Sequence, residues 1–107
     1  MRYETIRELK IPKIGFGTWT IGGHRSADPS SDAQSMTALR SAIELGYTHF
    51  DTAEVYAAGH SEELLGRVIA EMGVAREKLF ITSKVSPEHL NYADVLRCCE
   101  NSLRRLG

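Results

Sequence analysis

An aspartate, a tyrosine and a lysine are spaced along this chain in a way that could move a proton. Asp51 lies near the end of the apolar run Tyr47 to Thr52, Tyr56 follows five residues later in GYTHFDTAEVY, and Lys84 ends the run LFITSK. Side chains alternate along a strand, so His49 and Asp51 share one face of the first run, and Phe80, Thr82 and Lys84 share one face of the second. Neighbouring parallel strands lie about 4.8 Å apart, close enough for a carboxylate and an ammonium on the same face to meet. A phenol titrates near about 10 and is a poor acid at neutral pH, but an adjacent ammonium stabilises its phenolate. With Asp51 holding Lys84 charged and oriented, Tyr56 could give a proton to a carbonyl oxygen while a hydride arrives at the carbon. No side chain donates hydride, so that chemistry requires a nicotinamide cofactor.

The three residues can meet only if the surrounding chain builds adjacent parallel strands. A short hairpin is expected over residues 3 to 9, and IPKIGFGTW, Ile11 to Trp19, reads as a buried strand with glycines where backbone or ligand approaches closely. Ile21 to Asp32 is rich in Gly, Ser and Asp and is expected to be a loop ending in a helix cap at Ser31 or Asp32. Met36, Leu39 and Ile43 then recur at helical spacing, Gly46 stands where a left-handed terminus is expected, and the strand to Thr52 begins almost at once. Ser61 is expected to cap a second helix with Glu62 and Glu63 in its first turn, beside the positive end of the helix dipole. Leu64, Leu65, Val68, Ile69 and Met72 form its inward stripe, and Gly73 ends it. After the strand Leu79 to Lys84, Asn91 is expected to cap a third helix with Tyr92, Val95, Leu96, Cys99, Leu103 and Leu106 inward. Strands recur about every thirty residues with a helix after each, the period of a parallel α/β sheet with right-handed crossovers. Ligands of such sheets bind at the strand C-terminal ends, where Asp51 and Lys84 fall.

Composition narrows the function further. The 107 residues make one domain, and 13 basic against 14 acidic residues give a net charge of -1, with no field to hold nucleic acid or an anionic membrane. No window resembles a signal peptide or a membrane span. The only cysteines, Cys98 and Cys99, are adjacent on a helix and cannot staple distant segments, so a reducing cytoplasmic compartment is expected. The four histidines share no metal-ligand spacing and neither cysteine pairs with a neighbouring histidine, so no metal site is expected. His49, on the Asp51 face and beneath it, reads as a hydrogen-bonded core histidine. The GFG of residues 15 to 17 lacks the third glycine and the immediate helix of a dinucleotide fingerprint.

GFGTW at 15 to 19, GYTHFDTAEVY at 46 to 56, SEELLG at 61 to 66 and FITSK at 80 to 84 resemble, in order and spacing, the aldo-keto reductase family. The resemblance covers nearly the whole chain. It implies a (β/α)8 TIM barrel, NADP(H) as cofactor and reduction of a small-molecule aldehyde or ketone to an alcohol. Carried over by position, Tyr56 matches the proton donor, Lys84 the residue that eases proton release from it, and Asp51 the partner of that lysine. Gly17, Thr18, Trp19 and Asp51 match positions beside the nicotinamide, its ribose or the substrate. The family often has arginine where Thr48 stands and glycine where Ala57 follows the tyrosine. Its barrel needs about 250 residues, so residues 1 to 107 are expected to be one partial barrel domain, an N-terminal hairpin and three βα units ending before the fourth strand. The family's catalytic histidine and most of its cofactor grip lie beyond that point, and such a fragment is expected to be inactive alone. The alternative is a non-catalytic half-barrel that assembles with itself or another chain through open strand edges. Asp51 and Lys84 also have a plain structural reading, as an ion pair that holds two strands.

Overall fold

The computed structural model describes all residues from 1 to 107, and its sheet is built in the expected order. An antiparallel hairpin comes first, β1 (Tyr3–Ile6) and β2 (Leu9–Pro12), with Tyr3 opposite Pro12 and Arg7 at φ 56° in the turn. The βα units follow: β3 (Phe16–Gly17), α1 (Asp32–Glu44), β4 (His49–Asp51), α2 (His60–Glu71), β5 (Phe80–Thr82) and α3 (Tyr92–Leu106). Strands β3, β4 and β5 form one parallel sheet in that order, with Gly17 level with Asp51 and Asp51 level with Thr82. Between strands that are neighbours both in sequence and in space, α1 and α2 are the crossovers.

Apolar side chains from the helices cover one face of this sheet. Met36, Leu39 and Ala42 from α1 meet Leu64, Leu65, Val68 and Ile69 from α2 over Phe50 and Leu79. Phe50 is fully buried at the centre of β4, and Phe16 packs against it with ring centroids 6.0 Å apart. Gly46 and Gly73 adopt φ values of 89° and 63° just past α1 and α2, which lets the chain turn back into the sheet. No helix is long and apolar enough to cross a membrane.

Several boundaries differ from the sequence reading, each for a physical reason. Ile11 and Pro12 belong to the hairpin, because the Lys13 N–H donates to the Arg2 carbonyl at 2.9 Å and prolongs that pairing. The first parallel strand therefore shrinks to two residues. Lys84 lies two residues past β5, on a segment tied back by the Glu54 N–H to the Lys84 carbonyl. The N-cap of α2 is Gly59, and Ser61 sits inside the helix with its hydroxyl spent elsewhere. Ser31 precedes α1 without a side-chain cap; Asp28 instead accepts from the Ser30 N–H in the preceding turn. Asn91 does cap α3, accepting from the Asp94 N–H at 2.9 Å.

The largest correction concerns which face of α3 turns inward. Cys98 is its one buried residue, whereas Tyr92, Leu96, Cys99 and Leu103 are exposed. Gly66 accounts for this: a Cβ there would stand 2.4 Å from the Arg105 carbonyl oxygen, so the α3 backbone rests directly on α2. That contact turns Arg105 toward Glu62 of α2; of the expected stripe Leu106 packs against the core and Val95 is half-buried, while the rest lies outside.

Candidate active site

Beyond the C-terminal ends of β4 and β5, the Lys84 ammonium gathers the predicted set. Its three N–H bonds find three acceptors: the Asp51 carboxylate at 2.8 Å, the Thr52 carbonyl at 2.8 Å and the Tyr56 phenol oxygen at 3.3 Å. The same ammonium stands 4.9 Å from the Tyr56 ring centroid. Burial pulls the ammonium toward release of its proton, but hydrogen bonds to Asp51 and Tyr56 outweigh it, and the net shift holds Lys84 charged above its ordinary range. Because the phenol oxygen accepts from Lys84, its own O–H is free to be donated outward. Trp19 lies edge-on to the Tyr56 ring at 4.8 Å and is half exposed, so an indole and a phenol border the same open rim.

Tyr56 is held in place by backbone that few residues adopt. Ala57 and Ala58 follow it at φ 51° and 55°, and Gly59 at 93°. Left-handed geometry costs a residue with a Cβ about 1 to 2 kcal/mol, which explains why a glycine serves well directly after this tyrosine. Here the Ala57 N–H is anchored on the His24 carbonyl at 3.0 Å, with the Ala57 side chain fully buried.

The four positions expected beside a nicotinamide are not equivalent. Gly17 is exposed, and a Cβ there would meet nothing within 4 Å, so it leaves room for a flat ligand. Trp19 and Asp51 also face open space. Thr18 is fully buried: its N–H and hydroxyl both donate to the Asp51 carbonyl, at 3.0 and 3.2 Å, and its own oxygens accept from Ser61. Thr18 thus fixes the strand that carries Asp51. His49 lies one turn of the pleat below Asp51, edge-on to Phe80 at 5.1 Å and so close to Gly15 that a Cβ there would come within 3.0 Å.

Two polar clusters beneath the rim lay outside the sequence reading. Glu62 is fully buried in the first turn of α2, accepting from the Ser83 hydroxyl at 2.5 Å and from Arg105 Nε at 2.7 Å. A signal was present: residues 62, 65, 66 and 69 share a helix face, which places Glu62 on the buried stripe rather than the solvent side. Glu54 accepts from the Ser86 N–H at 2.5 Å and pairs with His89 Nδ1 at 2.8 Å. Burial raises the Glu54 carboxyl, but those bonds and one with Cys98 prevail and hold it below the usual range. Burial and the same carboxylate push the Cys98 thiol up. Glu54, His89 and Cys98 bring ligand-type atoms within 4.8 Å of one another, a grouping that no short sequence spacing reveals. They satisfy each other and strap the Tyr56 loop to the segment after Lys84. A cavity of about 220 Å³ between that segment and α3, lined by Glu54, Lys84, Val95 and Cys98, excludes Asp51 and Tyr56.

Fold and rim together define an α/β chain of the parallel-barrel type, with its polar site at the strand C-terminal ends. Residues 13 to 107 match the Aldo/keto reductase family, and the chain belongs to it. It is 40% identical over 100 residues to methylglyoxal reductase YeaE of Escherichia coli, covering 94% of this chain and 33% of that protein. It is 34% identical over 116 residues to aldo-keto reductase YhdN of Bacillus subtilis, covering 99% and 34%. Among solved structures, a thermostable aldo-keto reductase, Tm1743, bound to the inhibitor epalrestat superimposes with a TM-score of 0.93 at 48% identity, over 99% of this chain and 39% of that one. An aldo/keto reductase of Klebsiella pneumoniae in complex with NADP and acetate gives a TM-score of 0.78 at 43% identity, over 92% and 32%. These neighbours are (β/α)8 barrels, and the chain spans about a third of the length of the curated relatives it matches.

Proposed function

We propose that residues 1 to 107 form the first three βα units of a longer barrel and supply the proton-donating part of an NADP(H)-dependent carbonyl reductase. The observation that carries this reading is the convergence of Asp51, Lys84 and Tyr56 on one ammonium. The bound cofactor would supply hydride to the carbonyl carbon. Tyr56 donates its phenol proton to the carbonyl oxygen, giving the alcohol. Lys84 stabilises the negative charge left on the phenol oxygen, and Asp51 keeps Lys84 charged and aimed. Gly17 leaves space for the nicotinamide, Trp19 and Asp51 border it, and Thr18 serves it indirectly by holding the Asp51 carbonyl. The substrate class is a small, reactive aldehyde or ketone; relatives named methylglyoxal reductase and glyoxal reductase point to 2-oxoaldehydes.

The test is NADPH oxidation with methylglyoxal, in the full natural chain that carries these residues. Tyr56→Phe removes the proton and keeps the ring, and is expected to lower kcat by about 10²-fold or more, in the range that general acid catalysis contributes. Equal rates for the two proteins would remove Tyr56 as the acid.

A further inference from the structure

The first turn of α2 bonds the residues just past β3 and β5 and, through Thr18, reaches the end of β4, and this goes beyond the residues that would meet substrate. Ser61 donates toward the Thr18 carbonyl and hydroxyl at 3.1 and 2.9 Å, and Thr18 in turn holds the Asp51 carbonyl. The adjacent Glu62 accepts from Ser83, the residue directly before Lys84. Both Ser61 and Glu62 are fully buried. Arg105, from the last turn of α3, neutralises the Glu62 carboxylate, and its guanidinium packs where a Cβ on Gly59 would stand only 3.0 Å away. A buried carboxylate without such partners would be costly, so the geometry of this cluster is tightly determined.

We propose that Glu62 is a positioning residue for Lys84, acting through the Ser83 hydroxyl, and that Arg105 holds Glu62 in the geometry this requires. Lys84 lies beyond the regular strand, where the Glu54 N–H still reaches its carbonyl but Ser83, just before it, makes no backbone hydrogen bond. The Ser83 to Glu62 bond supplies the missing restraint one residue from the ammonium. Its loss leaves the backbone around Lys84 held by the Glu54 N–H to the Lys84 carbonyl and, two residues on, by the Ser86 N–H to the Glu54 carboxylate, and the ammonium gains freedom relative to Asp51 and Tyr56. Small displacements of a proton-transfer group reduce turnover more than substrate binding. This inference rests on the reductase reading for its effect on rate, but not for its effect on Lys84 itself.

The experiment uses the full natural chain and centres on Ser83→Ala, which removes the link and leaves the Glu62 to Arg105 pair intact; Ser83→Thr restores a hydroxyl. Two quantities are measured. One is the rate at which acetic anhydride acylates Lys84, followed by peptide mass spectrometry. The other is kcat and KM for NADPH-dependent reduction of methylglyoxal. Ser83→Ala is expected to raise Lys84 acylation about threefold and lower kcat about tenfold with both KM values within about twofold, and Ser83→Thr to recover most of both changes. Lys84 acylation in Ser83→Ala equal to that of the wild type would overturn the proposal, whatever the rate does. Tyr56→Phe is run beside it: full activity there would overturn the reductase reading and leave the acylation result to judge Ser83 and Glu62.

Discussion

Helix α2 packs on the sheet and α3 packs on α2, yet α2 buries seven of its twelve residues and α3 only one of its fifteen. The difference does not follow from apolar content, since α3 carries a continuous apolar stripe of Tyr92, Leu96 and Leu103 that stays exposed. On α2 the buried stripe includes Ser61, Glu62 and Gly66, and these are the residues that choose its neighbours. On α3 the inward face is set by Arg105 reaching Glu62 and by its own backbone resting on Gly66. A hydrophobic stripe says that a helix will pack; a buried polar pair and a close backbone approach say which way.

The comparison can be broken most directly in the core. In residues 1 to 107, Leu65→Ala on α2 is expected to cost about 3 kcal/mol, and Leu96→Ala on α3 less than about 0.5 kcal/mol, because Leu65 is fully buried and Leu96 is half exposed. Urea unfolding of the two variants checks this, and equal costs would abolish the contrast. A longer chain in which a further element covers α3 would sharpen it, by raising the cost at Leu96 alone.

Gly66→Ala comes next. Its added methyl would meet the Arg105 carbonyl at 2.4 Å, so α3 must move or the helix must strain, at about 2 kcal/mol. Tm is the measurement, and a Tm equal to that of the wild type would show that α3 does not rest on this glycine.

The smallest expected effect depends on pH. His60, at the start of α2, places Nδ1 2.9 Å from Glu63 and Nε2 2.8 Å from Asp32 at the start of α1. The hydrogen bond to Glu63 raises its pKa, burial opposes this, and the bond to Asp32 raises it further, giving a net upward shift. A pKa higher in the folded state than in the unfolded one stabilises the protein fully below about 6.5 and progressively less as pH rises through the folded value. The Tm difference between wild type and His60→Gln is therefore expected to be largest near about pH 5.5 and to shrink toward about pH 8.5. A difference constant over that span would show that the ring joins the two helices without its charge.

Much of this was legible in the residues. Strand alternation and the thirty-residue period placed Asp51 and Lys84 on one face at one edge, because a parallel sheet offers few other arrangements. Tyr56 was legible because it follows the strand end so closely. The inward face of α3 was misread because its determinant, Arg105, looks like an ordinary last-turn cation until Glu62 stands opposite it. Ser61 was read as a cap for the same reason, since serine before two glutamates suits a helix start, and only the Thr18 carbonyl, 43 residues away, claims its hydroxyl. The Glu54, His89 and Cys98 cluster joins three separate elements and carried no local pattern. What the chain lacks in sequence signal is contact between residues far apart along it.

The tie between Glu62 and Arg105 also has a consequence in time. A ribosome makes the carboxylate 43 residues before its cation, an interval of about 2 to 9 s at ordinary elongation rates. During synthesis, then, the rim of this nascent chain stays unlocked until translation has passed α3, and the less buried of the two helices is the one that closes the latch.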